Sequence, residues 1–247
     1  MYICICIGFL STYKGRQLGT IGDFGCFSFH YTKNVICGEG GAISINRSAA
    51  EIMARRALVL WEKGTNRYDF MAGKIDKYEW IDVGSSYVPN EVSCAILWAQ
   101  LEQCRAITEA RLANYNMYRV GLEPLQQAGY LRLLQAPEYS KTNGHIFYIL
   151  LPTASARQQV AEELKKKGIS AFSHYVPLHS APAGTRFGRV GSASMSVTDG
   201  IFTGLLRLPV WVGLKKSEIE YVIESLTEVC TRLFGSSNQS KKRGLDV

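Results

Sequence analysis

The sequence predicts an α/β protein built in two parts, and three patterns carry that reading. Short β-prone runs broken by glycine-rich turns fill the first 46 residues, a long helical stretch opens at Asn90, and strand alternates with helix from His145 onward. At 247 residues and 47% hydrophobic content the chain has enough apolar material for two cores.

Residues 3–10 and 25–30 read as strands, separated by turns at Gly15, Gly19 and Gly22, and AISIN at 42–46 reads as a third. Ser48 with Glu51 forms a capping box, and Met53, Ala57, Leu60 and Trp61 follow at helical spacing until Gly64 stops the helix. Asn90 caps a long helical region whose stripe of Val92, Ala95, Ile96 and Ala99 continues irregularly through Ile107, Ala110 and Leu122, a length that bridges two domains. HIFYILL at 145–151 is a strand, Ser155 with Gln158 opens a helix, and ISAF after Gly168 is the next strand. Ser217 with Glu220 boxes a final helix carried by Ile219, Val222, Leu226, Val229 and Leu233, with Gly235 as its stop. The expected division is a first domain to residue 105, a smaller α/β domain over 106–235, and a disordered tail over 236–247.

The net charge of +7 raises the question of nucleic acid. Lys241, Lys242 and Arg243 against Asp246 leave +2 of it in the tail, and the run from Lys165 to Lys167 is the solvated end of a helix, so no nucleic-acid partner is expected and a phosphorylated small molecule accounts for the surplus. Seven cysteines at scattered positions read as reduced thiols; Cys4 and Cys6 are the one close pair, and two sulfurs do not complete a tetrahedral zinc site, so no metal is expected. The opening MYICICIGFL is too short to span a bilayer and lacks a basic leader, which gives the expectation of a cytoplasmic protein without a membrane partner.

Chemistry concentrates in FSFHYTKN at 27–34 and the GEGG that follows at 38–41. On a strand, Phe27 and Phe29 share one face while Ser28 and His30 share the other, and the strand end presents Lys33. A lysine held there and partly desolvated loses its proton near neutral pH and attacks an aldehyde. Ser28 suits a phosphate or a local strand-end bond, and the glycines permit sharp turning or close backbone approach. His30 reads as scaffold.

The run GTIGDFGCFSFHYTKNVICGEGGA at 19–42 resembles the signature around the pyridoxal-phosphate (PLP) lysine of the DegT/StrS sugar aminotransferases, and the likeness continues through EKGTNR (62–67), DKYEWIDVGSSYVPNEVSCAILWAQLE (76–102), HYVPLH (174–179) and LLRLPV (205–210), from Ser11 to Phe234. The resemblance implies a fold type I PLP enzyme, the C-terminal part of its large domain followed by a small α/β domain, working as a homodimer on a nucleotide sugar with an amino donor such as glutamate. It implies Lys33 as the Schiff-base residue and proton carrier, Ser28 as a ligand of the cofactor phosphate, and Ser86 as a second phosphate ligand reaching in from the neighbouring subunit, at a position where many relatives have asparagine. His174, Tyr175 and His179 fall in the segment that lines the substrate pocket, although His179 on its own reads equally as a packed histidine. Related dehydratases carry histidine where this chain keeps Lys33. The GSSY and EKGTNR forms of the motifs resemble the transaminases that make a 4-amino-4,6-dideoxygalactose nucleotide from dTDP-4-oxo-6-deoxyglucose for enterobacterial surface polysaccharide.

Only 32 residues precede Lys33, whereas the family's lysine sits deep in a longer chain. The family's first half has no counterpart in these residues, and Cys4 and Ile7 stand where relatives carry an acidic partner for the pyridinium nitrogen and a glutamine. A carboxylate at that nitrogen keeps the ring an electron sink. The expectation is therefore that these 247 residues alone make a poor transaminase. The alternative reading is a catalytically silent remnant that binds cofactor, nucleotide sugar or a partner chain.

Overall fold

The computed structural model describes residues 2–4, 7–46, 50–191 and 194–242, with side chains over 7–46, 51–191 and 194–235. Its elements in chain order are β1 (Tyr2–Cys4), β2 (Thr12–Tyr13), β3 (Arg16–Gln17), β4 (Phe24–Ser28), β5 (Gly41–Ile45), α1 (Ala50–Trp61), α2 (Arg67–Met71), α3 (Glu91–Glu102), α4 (Cys104–Gly121), α5 (Glu123–Gln127), β6 (Arg132–Leu133), β7 (Ser140–Lys141), β8 (Phe147–Leu150), α6 (Ala154–Lys166), α7 (Pro182–Phe187), α8 (Ser196–Gly204), β9 (Leu205–Leu208) and α9 (Lys216–Lys242). The chain divides into one unit of Met1–Glu109 with Pro137–Asn143 and another of Ala110–Ala136 with Gly144–Val247. The change of unit falls inside α4, and a short strap returns to the first unit. No helix among the described residues is long and apolar enough to cross a membrane.

In the first unit β4 is the middle strand of a sheet ordered β1-β4-β5. β1 runs parallel to it with Cys4 opposite Cys26, and β5 runs antiparallel with Ser28 opposite Gly41. Of the expected strand over 3–10 only Tyr2–Cys4 is described as strand, and residues 7–10 turn instead, with the Ser11 N–H donating to Gly8 O at 2.9 Å and Leu10 at a left-handed φ of 63°. Cys6 lies outside the described residues. The glycine-rich stretch forms a hairpin, β2 and β3, turning through Lys14 and Gly15, and β7 of the strap pairs with β2 as the third strand. Phe29, Val35 and Cys37 form a small core with Phe9, Phe27, Leu97 and Cys104 packed against it. Ser48, the expected cap of α1, lies outside the described residues; Gly64 ends the helix region at φ 79°. Asn90 caps α3 by accepting from the Ser93 N–H at 2.8 Å, but the long helix breaks at Gln103 into α3 and α4.

The second unit is built on the antiparallel sheet β6-β8-β9. Tyr118, Leu122, Ile149, Leu164, Leu206, Ile219 and Leu226 are wholly or almost wholly buried around it. Arg111, 7% exposed, donates to the carbonyls of Gly144 at 3.1 Å, His145 at 2.6 Å and Val210 at 3.2 Å, so three of its five N–H groups pair with carbonyls flanking β8 and β9. Burial lowers its pKa from the ordinary value.

Four local expectations shift here. Thr153, not Ser155, caps α6 by accepting from the Ala156 N–H at 3.0 Å. Glu218 rather than Glu220 closes the start of α9 by accepting from the Lys215 N–H at 2.7 Å, and the helix passes Gly235 to reach Lys242, since an interior glycine costs a helix only about 1 kcal/mol. ISAF forms no strand: Phe172 alone pairs, exchanging backbone bonds with Arg207 of β9. Residues 243–247 lie outside the described residues.

Leu164, at 0% exposure, is the most direct test of this core. Leu164→Ala is expected to lower the unfolding free energy by about 2–5 kcal/mol, read as a reduced urea midpoint at unchanged slope.

Candidate functional site

Beyond Ser28 the β4 backbone keeps pairing without regular strand geometry. The Phe29 N–H donates to Gly40 O at 2.9 Å, the Tyr31 N–H to Gly38 O at 2.9 Å and the Cys37 N–H back to Phe29 O at 2.8 Å, while the Lys33 N–H closes a turn on His30 O at 2.9 Å. Lys33 thus sits at the tip of an irregular hairpin whose base is the sheet. Buried Phe29, Val35 and Cys37 flank the tip, and Phe9 meets both Phe27 and Phe29 edge-on at 5.9 Å, so those two phenylalanines share one face as the strand period requires. Gly38 supplies a φ of 86°, and a Cβ at Gly41 would stand 2.8 Å from Phe27 O. Burial, then Cys94 and Glu39, push the Cys37 thiol up, which marks it as an inert core residue.

The Lys33 side chain is half-buried, and among the described residues its ammonium nitrogen makes no hydrogen bond or ion pair. Ser28 Oγ accepts one long contact of 3.4 Å from the His30 N–H, leaving its own hydrogen uncommitted. His30 is occupied locally: Nδ1 lies 2.8 Å from Thr32 Oγ1, Nε2 lies 3.4 Å from Glu39 Oε1, and its ring lies tilted against Tyr31 at 4.1 Å. An amine unpaired among the described residues, a hydroxyl five residues upstream and a glycine-bearing rim are groups suited to the aldehyde and phosphate ends of PLP.

Ser86 belongs to a separate structure in the same unit. Helix ends leave carbonyls without intrahelical partners, and at the end of α1 a returning loop supplies donors: Ser85 N–H to Leu60 O at 2.9 Å and Tyr87 N–H to Trp61 O at 3.1 Å. The Lys63 N–H answers by donating to Ser85 O at 3.1 Å, and Ser86 bridges Glu62. The two chains touch at glycines, since a Cβ on Gly64 would lie 1.8 Å from Asp82 O and one on Gly84 would lie 2.1 Å from Gly64 N. Glu62, with its side chain 8% exposed, accepts from Arg67 at 3.0 Å and Lys63 at 3.3 Å. Sequence reading overlooked this buried carboxylate; its signal was an acid flanked by Lys63 and Arg67 around a turn glycine. Ser86 is exposed and its hydroxyl bonds nothing among the described residues.

The second unit carries the other expected residues. His174 and Tyr175 line a cleft of about 480 Å³ with Val176, Leu178, Thr198 and Phe202. His174 Nδ1 is buried without a partner among the described residues, and burial first, then the Arg207 charge, lowers the His174 pKa below 6.5. His179 stands outside that lining and meets Asp199 Oδ1 at 2.9 Å through Nε2, so a single motif splits between the cleft and a separate hydrogen bond. Asp199 and the helix α8 that carries it have no counterpart in the sequence reading. No three His, Cys, Asp or Glu residues among those described are grouped to hold a metal.

Because the native His174 pKa lies below its unfolded value, the unfolded chain binds more protons in the interval between them, and stability falls as pH drops through that interval. The His174 ring-proton NMR titration is expected to have a midpoint below 6.5, and Arg207→Gln to raise it only partway, since burial is the larger cause.

A family model described as the DegT/DnrJ/EryC1/StrS aminotransferase family matches residues 5–227. The GDP-perosamine synthase of Caulobacter vibrioides is 26% identical over 226 residues, covering 89% of this chain and 56% of that protein. The UDP-4-amino-4,6-dideoxy-N-acetyl-beta-L-altrosamine transaminase of Campylobacter jejuni is 22% identical over 225 residues, covering 90% and 56%. A structure of Spr1654 from Streptococcus pneumoniae in its PLP form superposes with a TM-score of 0.79 at 23% identity, covering 94% of this chain and 57% of that one. The chain spans about half the length of the curated relatives it matches. Its architecture is that of the fold type I PLP-dependent sugar aminotransferases, and with the family model matched over all but the ends, the chain belongs to the DegT/DnrJ/EryC1/StrS aminotransferase family.

Proposed function

We propose that the protein to which these residues belong transfers an amino group from a donor such as glutamate to the 4-keto carbon of a nucleotide-linked 6-deoxysugar, with PLP held at Lys33, and that the 247 residues alone turn over poorly. The observation that carries this is the half-buried Lys33 amine, unpaired among the described residues, at the tip of the hairpin that extends the middle strand. The relatives named for 4-amino sugars on GDP and UDP support the substrate class. Within it, the EKGTNR and GSSY motif forms favour dTDP-4-oxo-6-deoxyglucose, giving dTDP-4-amino-4,6-dideoxygalactose for surface polysaccharide. The reading includes a homodimer in the cytoplasm.

When bound, PLP supplies an aldehyde carbon that condenses with amines and a ring that accepts electrons. The chain's own residues do the rest. Lys33 would hold PLP through its side-chain amine, and that amine would serve as the nearby base that moves a proton at the amino-bearing carbon. Ser28 would give its hydroxyl hydrogen to a phosphate oxygen, and Ser86 would do so for the second subunit's cofactor from its fixed loop. The His174 and Tyr175 cleft takes the sugar nucleotide, its apolar wall excluding water while the depressed His174 pKa keeps that ring neutral. His179, tied to Asp199, orients that wall.

The test is to add PLP, reduce with borohydride and map the label by mass spectrometry. One stable label at Lys33 is expected, lost by at least about tenfold in Lys33→Ala; equal labelling of surface lysines in both proteins would overturn the assignment. In a turnover assay with dTDP-, GDP- and UDP-linked 4-keto sugars, preference for the dTDP substrate is expected, and equal use of all three would refute that specificity.

A further inference from the structure

Lys33 is followed by Asn34, whose side chain leaves the hairpin and crosses to the strap: Asn34 Nδ2 donates to the Asn143 carbonyl at 3.0 Å. Asn143 is 3% exposed, and its own amide nitrogen donates at 2.8 Å to Ile7 O and at 2.8 Å to Phe9 O. One buried residue therefore binds the turn after β1 on one side and the lysine hairpin on the other. The strap is brought there in fixed register, with Lys141 opposite Thr12 and Ser140 opposite Tyr13, and Tyr139 packs edge-on against Tyr13 at 5.3 Å. Phe9, whose carbonyl Asn143 holds, also packs against Phe27 and Phe29 beneath the hairpin. The two carbonyls need two donors from one short side chain. Asparagine supplies them; aspartate, of the same shape, supplies none when ionised, and an apolar residue would leave both carbonyls without these donors.

We infer that Asn143, acting through Asn34, is a positioning residue for Lys33: it fixes where the hairpin tip stands relative to the turn after β1. The inference rests on Lys33 as the cofactor lysine. Its physical basis is that a reacting amine displaced by about 1 Å loses on the order of 100-fold in rate, so the backbone beneath it must be held. Phe29, Val35 and Cys37 hold the base of the hairpin by burial. The Asn34–Asn143 bond holds the side of the tip.

The test compares the 247-residue chain with Asn34→Ala and Asn143→Asp, each checked for folding by circular dichroism. Two quantities are read at Lys33: its rate of acetylation by acetic anhydride, by peptide mass spectrometry with Lys74 as internal reference, and the initial rate of borohydride-trapped PLP labelling. Released from its tether, Lys33 is expected to acetylate at least about threefold faster relative to Lys74 and to trap PLP about tenfold more slowly. Asn34→Ala leaves both Asn143 donations in place, so it remains decisive where Asn143→Asp does not fold. Unchanged acetylation at Lys33 in a folded variant would overturn the inference, as would a parallel rise at Lys33 and Lys74, which means general loosening. Absence of PLP label in the parent chain counts against the proposed function alone, and the acetylation comparison then decides the positioning role by itself.

Discussion

The candidate cofactor site depends on backbone pairing that outlasts regular strand geometry. After Ser28 the chain gives up the β-ladder yet keeps donating, from Phe29 to Gly40 and from Tyr31 to Gly38, while Cys37 donates back to Phe29. Because those groups are satisfied close to buried side chains, the hairpin has little reason to melt, and Lys33 inherits a defined position. Had the same lysine followed a solvated turn, its amine would sample many rotamers. The glycines at 38 and 41 are the local condition: one adopts a left-handed φ, the other lies too near Phe27 O for any Cβ.

Where the sequence was legible, a local rule decided the outcome. Asn90 caps α3 because its side-chain oxygen reaches the Ser93 N–H whatever the tertiary context. The 2-residue period placed Phe27 and Phe29 together, and the resemblance around Lys33 led to the correct fold. Local rules failed where two chemically equivalent residues competed. Thr153 took the cap expected of Ser155, and Glu218 took the closing role expected of Glu220, choices set by where the preceding loop delivers the backbone.

Other features were invisible for a different reason: their partners are far apart in sequence. Asn143 meets residues 7, 9 and 34, and Arg111 meets Gly144, His145 and Val210. Nothing in the spacing of a single asparagine or arginine announces such contacts. HYVPLH shows the intermediate case, since a motif identified as one substrate-facing segment divides in space, His174 and Tyr175 lining the cleft while His179 pairs with Asp199.

The junction between the end of α1 and the loop carrying Ser86 also limits how this protein can change. Gly64 and Gly84 meet backbone to backbone, in a gap that admits no β-carbon from either side. The two segments therefore behave as one heritable unit, whose lengths and glycine positions must drift together. A directed-evolution library that randomised residues 62–67 or 82–87 alone would spend most of its members on misfolded chains. One that varied side chains around both glycines, leaving them fixed, would search the presentation of Ser86 without disturbing its support.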